Sequence, residues 1–268
     1  MSLALGARTD ESFGRAPVLV AQVGLVAIAA GAWYLAAISS IATPGTLPTP
    51  GAVAGELGDL VVTGSYWQSV FDTVETWALG LVIASVIAIP LGYLLGANAL
   101  AYRASRATVD FVRTLPPVAL IPVVALLYGV TLKTALVLVV FATVWPLLVQ
   151  SMYGIRQLDT VVRDTARTYQ LGRWRTAWVV RLPGALPFIS TGMRIASTMS
   201  LLLAVGVELI AGAPGLGASI AVAQSTYANT EMYAYILTAA ILGVLLTSLL
   251  VIAERRVLNW HPAYRREA

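Results

Sequence analysis

The chain has 268 residues, 58% hydrophobic and 11% charged, with a net charge of +4 and no cysteine. An ordinary soluble domain carries roughly 25% charged residues, so lipid rather than water is the expected solvent. The missing cysteines exclude disulfides, thiolate catalysis and cysteine-ligated metal. The arginines sit at the ends of apolar runs rather than on one soluble face among aromatics, which argues against nucleic acid. An all-α polytopic membrane protein is the expected fold class.

The opening "MSLALGARTDESFGRAPVL" lacks the basic, apolar, small-residue order of a cleaved signal peptide, so the first apolar run is expected to stay. That run covers about 18–40, and the proline-rich "TPGTLPTPG" ends it. Glu56, Asp59, Tyr66 and Trp67 then suggest a short surface helix with aromatic interface anchors. Span two runs from about 70 to 96 with Pro90 inside. Its opening acids, Asp72 and Glu75, are expected to favour a helix N-terminal dipole. "TVDFVRTLPPVALIPVVALLYG" reads as a third, bent span, since Pro116, Pro117 and Pro122 each remove a donor. "LKTALVLVVFATVWPLLVQSMYG" is span four, a run from near 187 is span five, and "EMYAYILTAAILGVLLTSLLVIAERR" is span six. The expected plan is an N-terminal tail 1–17, a membrane domain 18–258 with a loop at about 157–187, and a C-terminal tail 259–268.

Arginine orients these spans. Arg8 and Arg15 precede the first, Arg103, Arg106 and Arg113 follow the second, and Arg255, Arg256, Arg265 and Arg266 follow the last. Arg156, Arg163, Arg167, Arg173, Arg175 and Arg181 lie between spans four and five, whereas the opposite loops offer only Lys133. The positive-inside rule then places both termini and the long arginine loop in the cytoplasm. His261, the one histidine, falls in the tail, far from any set of convergent metal ligands.

The loop "RDTARTYQLGRWRTAWVVRLPGALP" has room for two short helices divided near Gly172. Leu158, Val161, Val162, Ala166 and Tyr169 recur on one stripe at helical spacing. Two readings are open. The arginines meet lipid phosphates and fix orientation, or Trp174 and Trp178 beside Arg173 and Arg175 form a protein interface.

The segment resembles the cytoplasmic signature of bacterial ATP-binding cassette importer permeases, Glu-Ala-Ala, three residues, Gly, nine residues, Ile-x-Leu-Pro. Asp164, Thr165 and Ala166 stand at the Glu-Ala-Ala positions, with Val180 and Leu182-Pro183 at the closing ones. The nine-residue gap puts Gln170 where glycine is expected. Because positive φ strains glutamine, an ordinary helical Gln170 with the turn moved to Gly172 is expected. "RTLPPVALIPVVALLYG", "GRWRTAWVVRLPGALP" and "ELIAGAPGLG" are similar to the nitrate, sulfonate, taurine and thiamine-precursor branch.

That resemblance implies a type I importer-like bundle of six spans with a cytoplasmic coupling helix, in the bacterial inner membrane. It implies partners: ATPase subunits carrying ATP and Mg, a second permease copy or paralogue, and an external solute-binding protein. This chain itself would hold no cofactor and catalyse nothing. Asp164 would make polar contacts in the ATPase groove, Ala166 would permit close approach, and Trp174 with Arg167 and Arg173 would anchor it.

For the solute path, Glu208 stands out, since a carboxylate in hydrocarbon is costly without a partner. Ser197, Ser200, Ala204, Glu208 and Gly212 recur every three or four residues, suited either to lining a path or to close helix packing. Gly212, Gly215 and Gly217 in "GAPGLG" permit tight turns and resemble the family's external gate region. No Lys-Ser or Lys-Thr follows, so this is no phosphate-cradling loop, and ATP must be hydrolysed by another chain. A secondary transporter with Glu208 as proton site is the alternative. An intramembrane hydrolase lacks Gly-x-Ser-x-Gly, cysteine and any histidine within a span.

Overall fold

A computed structural model describes residues 15–39, 45–158 and 160–260. His261, Asp159, Arg8, Arg265 and Arg266 lie outside the described residues. The order is α1 (Arg15–Ile38), α2 (Pro50–Leu60), α3 (Gly64–Ala97), α4 (Ala99–Val112), a 3₁₀ turn Pro117–Leu120 leading into α5 (Ile121–Tyr128), and α6 (Leu132–Arg156). It continues with α7 (Thr160–Thr168), α8 (Arg173–Thr176), a π-helical turn Ala177–Arg181, α9 (Leu182–Ala211), α10 (Leu216–Ser225) and α11 (Asn229–Val257). Among the described residues there is no strand.

Local chemistry sets several boundaries. Thr49 accepts from Ala52 N at 3.3 Å and Pro50 opens α2, a side-chain cap followed by a residue with no N–H to satisfy. Thr63 caps α3 by accepting from Tyr66 N. Asn98 starts α4 by accepting from Leu100 N at 2.9 Å and Ala101 N at 3.3 Å.

Among the described residues five helices are long and apolar enough to cross a membrane, and six spans result if the bent pair Ala99–Val112 and Pro117–Tyr128 counts as one. The pair bends by 70°, so the expected third span is two pieces. Pro116 and Pro117 deny donors and disfavour the helical region for the residue before each. α4 itself is polar: Asp110 pairs with Arg106 at 3.7 Å and with Arg113 at 3.2 Å. The apolar piece from Pro117 to Tyr128 rises only about 18–20 Å, short of the roughly 30 Å hydrocarbon core.

The core is built around α6, which packs on α3 and α9. α3 turns Gly80, Ala84, Ala88, Gly92 and Gly96, all buried and four apart, toward the bundle. At Gly92 a Cβ would meet Ser151 Cβ at 2.5 Å, and at Gly96 Met152 O at 2.8 Å, so the backbones approach as only small residues allow. Leu81, Leu147, Leu148, Met152, Ala185 and Ile189 fill the space between. Buried hydroxyls bond within their own helix, Thr143 Oγ1 to Val139 O and Ser151 Oγ to Leu147 O, both at 2.7 Å. α1 stands apart: it presents Val20 and Val26 outward and is tied by Trp33 Nε1 donating to Pro48 O at 3.1 Å and by a Trp33–Tyr233 ring contact.

Two expectations need correction. Tyr66 is no interface anchor, because it lies inside α3, buried, stacked on Tyr235 and within 3.2 Å of Thr238 Oγ1. Asp72 and Glu75 do not open a helix, because α3 starts at Gly64, and the dipole effect fades within the first turn. Asp72 instead accepts from Gln68 Nε2 at 2.7 Å.

Candidate functional site: the arginine loop and the acidic corner of α9

Two constellations lie at opposite ends of α9. At its N-terminal end, α7 carries the candidate docking residues. Asp164, Thr165 and Arg167 are exposed, with Arg167 Nη1 donating to Asp164 Oδ1 at 3.4 Å. Thr165 and Thr168 bond back to Val161 O and Asp164 O. The expected single stripe is split. Val161, Val162 and Tyr169 face outward, whereas Ala166 is buried and Leu158 packs beside Gly184. Ala166 is therefore covered by its own chain and is not a free contact surface.

The turn after α7 overturns the helical Gln170. Gln170 has φ of 50°, in the left-handed region where a side chain is disfavoured. Leu171 N donates to Ala166 O at 3.1 Å and Gln170 N to Arg167 O at 2.9 Å. These are the paired bonds of a Schellman motif, which demands a left-handed residue at this position. Two hydrogen bonds that close the helix outweigh the side-chain penalty, so the turn stays where the family has glycine. Gly172 needs no special freedom: it is exposed with no neighbour for an added Cβ, and its carbonyl accepts from Thr176 N at 2.9 Å. α8 does begin directly after it, at Arg173.

Beyond α8, Leu182 N donates to Ala177 O, five residues back, and Pro183 has no N–H to restore the ordinary ladder. The resulting π turn lies between two cavities. Trp174 and Trp178 line an apolar one of about 340 Å³ with Pro90, Tyr93 and Leu94 of α3. Thr176, Val180 and Arg181 line the other. Leu182 and Pro183 are half-buried where α9 enters the bundle.

At the far end of α9, Glu208 is fully buried. Its Oε2 accepts from Thr73 Oγ1 at 2.8 Å and from Gly217 N at 3.0 Å, while Thr73 Oγ1 accepts from Leu216 N at 2.8 Å. One carboxylate thus clasps α3, α9 and the start of α10. Gly212 ends α9 with φ of 76°, and Gly215 has φ of 146°. A Cβ on Gly215 would lie 2.2 Å from Glu208 Cδ, and one on Gly217 would lie 2.2 Å from Val205 O. The three glycines fold the chain back over the acid. Neither Thr73 nor α10 was expected from the sequence.

Ser197, Ser200 and Ala204 are buried as well. Trp77 Nε1 donates to Ser197 Oγ at 3.1 Å, Ser200 Oγ donates to Trp77 O at 3.1 Å, and Ala204 packs with Leu138 and Val139. Within the protomer these three residues pack against α3 and α6. Ser197 also borders a groove of about 630 Å³ between α9 and α11, together with Thr198, Thr247, Ser248 and Arg255. A further polar clasp joins these helices: Glu254, buried, pairs with Arg194 and accepts from Ser190 Oγ at 3.1 Å. Arg194 is the one charge between Arg181 and Glu208, the signal by which this pair was findable.

The comparisons follow the same lines. The taurine transport system permease protein TauC of Escherichia coli (strain K12) is 28% identical over 90% of this chain and 89% of its own length. The putative aliphatic sulfonates transport permease protein SsuC of the same strain is 30% identical over 90% of each. The nitrate import permease protein NrtB of Leptolyngbya laminosa is 28% identical over 72% of this chain and 69% of its own. A chain of the MetNI methionine ABC transporter, solved in inward facing conformations, shares the fold with a TM-score of 0.61 at 22% identity, covering 73% of this chain and 95% of that one. Residues 88–259 match the family described as binding-protein-dependent transport system inner membrane component, and the chain belongs to that family, the permeases of ATP-binding cassette importers.

Proposed function

We propose that this permease moves a small organic or inorganic anion, of the sulfonate, taurine or nitrate kind, delivered by an external binding protein and driven by a separate ATPase that binds ATP and Mg. The observation that carries the reading is the arginine loop. It is a short helix that exposes Val161, Val162 and Tyr169, ends in a fixed left-handed turn, and leads through α8 and the π turn into α9. An apolar face on the polar end of a membrane protein calls for a protein partner. We assign Asp164, Thr165, Arg167, Gln170, Gly172, Arg173 and Trp174 to that docking region, with Ala166, Leu182 and Pro183 holding it in shape. The arginine content supports a cytoplasmic position for the loop and both termini. A second permease subunit would complete the path.

The test is reconstitution of the permease with the ATPase encoded beside it and with the matching binding protein. Asp164→Lys and Tyr169→Glu are expected to leave membrane insertion intact while abolishing solute-stimulated ATP hydrolysis. Full stimulation in both variants removes the loop from coupling. Proton-driven uptake by the purified chain alone, without an ATPase, defeats the importer reading.

A further inference from the structure

Three arginines from three separate elements meet in one cleft. Arg156 ends α6, Arg167 lies on α7 and Arg181 closes the π turn, and with Gly96, Ala97 and Leu158 they line a cavity of about 290 Å³. At liquid density that is room for about ten waters, enough for a hydrated phosphate group. The guanidinium of Arg156 lies 4.0 Å from the centre of the Tyr102 ring, a cation–π contact that covers one face and leaves its edge donors for another group. Among the described residues no carboxylate lies within 4.0 Å of Arg156 or Arg181, and Arg167 has only its exposed pair with Asp164. Such an exposed pair is worth little, so among the described residues the cleft gathers three cations with no other paired carboxylate.

Its position indicates the kind of anion. The cleft lies where α3 and α6 end, at the transition from apolar to arginine-rich sequence, the level at which lipid headgroups meet a membrane protein. The same α8 and π-turn segment that lines the cleft on one flank lines the apolar tryptophan cavity on the other. Arginine forks match phosphate oxygens, and an amphiphile satisfies both flanks where a free ion satisfies one.

We propose that the cleft formed by Arg156, Arg167 and Arg181 binds the phosphate of an anionic phospholipid and thereby braces the arginine loop against the corner between α3 and α4. The proposal requires that the chain be embedded in lipid, whatever its solute; of the three arginines only Arg167 is shared with the proposed docking region, and the variants below leave it in place.

The test is native mass spectrometry of the full chain in detergent, offered phosphatidylglycerol and phosphatidylcholine with identical acyl chains. The wild type is expected to retain phosphatidylglycerol in preference, and Arg156→Gln with Arg181→Gln to weaken that preference roughly tenfold or more. Arg156→Lys with Arg181→Lys, which keeps the charge, is expected to retain most of it. Arg255→Gln with Arg256→Gln removes the same charge outside the cleft and is expected to leave it unchanged. Equal loss in both glutamine pairs, unaltered preference in R156Q/R181Q, or no preference in the wild type and the lysine pair overturns the proposal. Displacement of the lipid by millimolar inorganic phosphate assigns the cleft to a free anion and overturns it too.

Discussion

The two ends of α9 are built on opposite plans. At the Glu208 end every polar contact is buried and made within the chain, with three glycines letting the backbone close over one carboxylate. At the arginine end the ladder slips into a π turn, the preceding helix shows valine and tyrosine to the outside, and a glutamine sits in a left-handed turn. At the first end Oε2 of Glu208 finds its partners within this chain, although Oε1 is buried without one, whereas the second end leaves valine and tyrosine exposed. A helix held rigidly at one end and entered through an irregular turn at the other is suited to turning a push on the loop into a tilt of the bundle. On the proposed coupling role, stability and coupling separate along a single helix, and substitutions at the two ends are expected to have different signatures.

The largest effect is expected at Gly217. A Cβ there meets Val205 O at 2.2 Å and Leu209 N at 2.6 Å, both backbone, so no flexible side chain yields and the α9–α10 corner must open. Gly217→Ala is expected to cost about 3 kcal/mol or more, read as a large fall in the thermal midpoint of the detergent-solubilised chain by circular dichroism. Gly206→Ala is the control. Nothing lies within 4 Å of its Cβ site, and a helix-interior alanine there should gain up to about 1 kcal/mol. Equal behaviour of the two variants removes the distinction between a tight position on α10 and an open one on α9.

Glu208 comes next and sharpens the comparison, since clasp and proton site predict different outcomes. Glu208→Ala leaves Thr73 Oγ1 and Gly217 N without their shared acceptor and is expected to cost about 2 kcal/mol. Glu208→Gln keeps one carbonyl oxygen for both donors, so stability should fall by less than about 1 kcal/mol and ATP-driven uptake should persist. A stable E208Q that transports nothing shows instead that the carboxylate is used chemically.

How much of this was legible depends on the range of the forces involved. Long apolar helices and the arginine bias are properties of continuous segments, so α1, α3, α6, α9 and α11 were readable from the sequence. The bend between α4 and α5 was readable from its prolines, though not that α4 would lie apart as a polar helix. The glycines around Glu208 were recognisable as turn-formers, but Thr73 lies 135 residues away, and nothing local announces that its hydroxyl completes the clasp. Likewise the Ser197, Ser200 and Ala204 stripe has the same spacing whether it lines a path or packs a helix, and its partners on α3 and α6 are distant in sequence. Gln170 failed for another reason. Propensity priced one residue, whereas the turn is held by two backbone hydrogen bonds that the surrounding helix makes.

Gln170 gives the smallest and most diagnostic prediction. A left-handed φ costs a residue with a side chain roughly 1–2 kcal/mol, and glycine escapes this but loses more backbone freedom on folding, roughly 0.5–1 kcal/mol. Gln170→Gly is therefore expected to stabilise the loop by about 0.5–1 kcal/mol, the difference of those terms. Gln170→Ala keeps the penalty and should gain nothing. The readout is hydrogen exchange at the amides of Gln170 and Leu171, the donors to Arg167 O and Ala166 O, which should slow several-fold in the glycine variant and stay constant in the alanine one. Neither change is expected to move the global thermal midpoint measurably, because the turn is exposed and the Glu208 end is untouched. Slower exchange in both variants would show that the glutamine side chain, and not its backbone angle, loosens the turn. A shift of the global midpoint would show that the two ends of α9 are not independent, and the division between a holding end and a coupling end would fall with it.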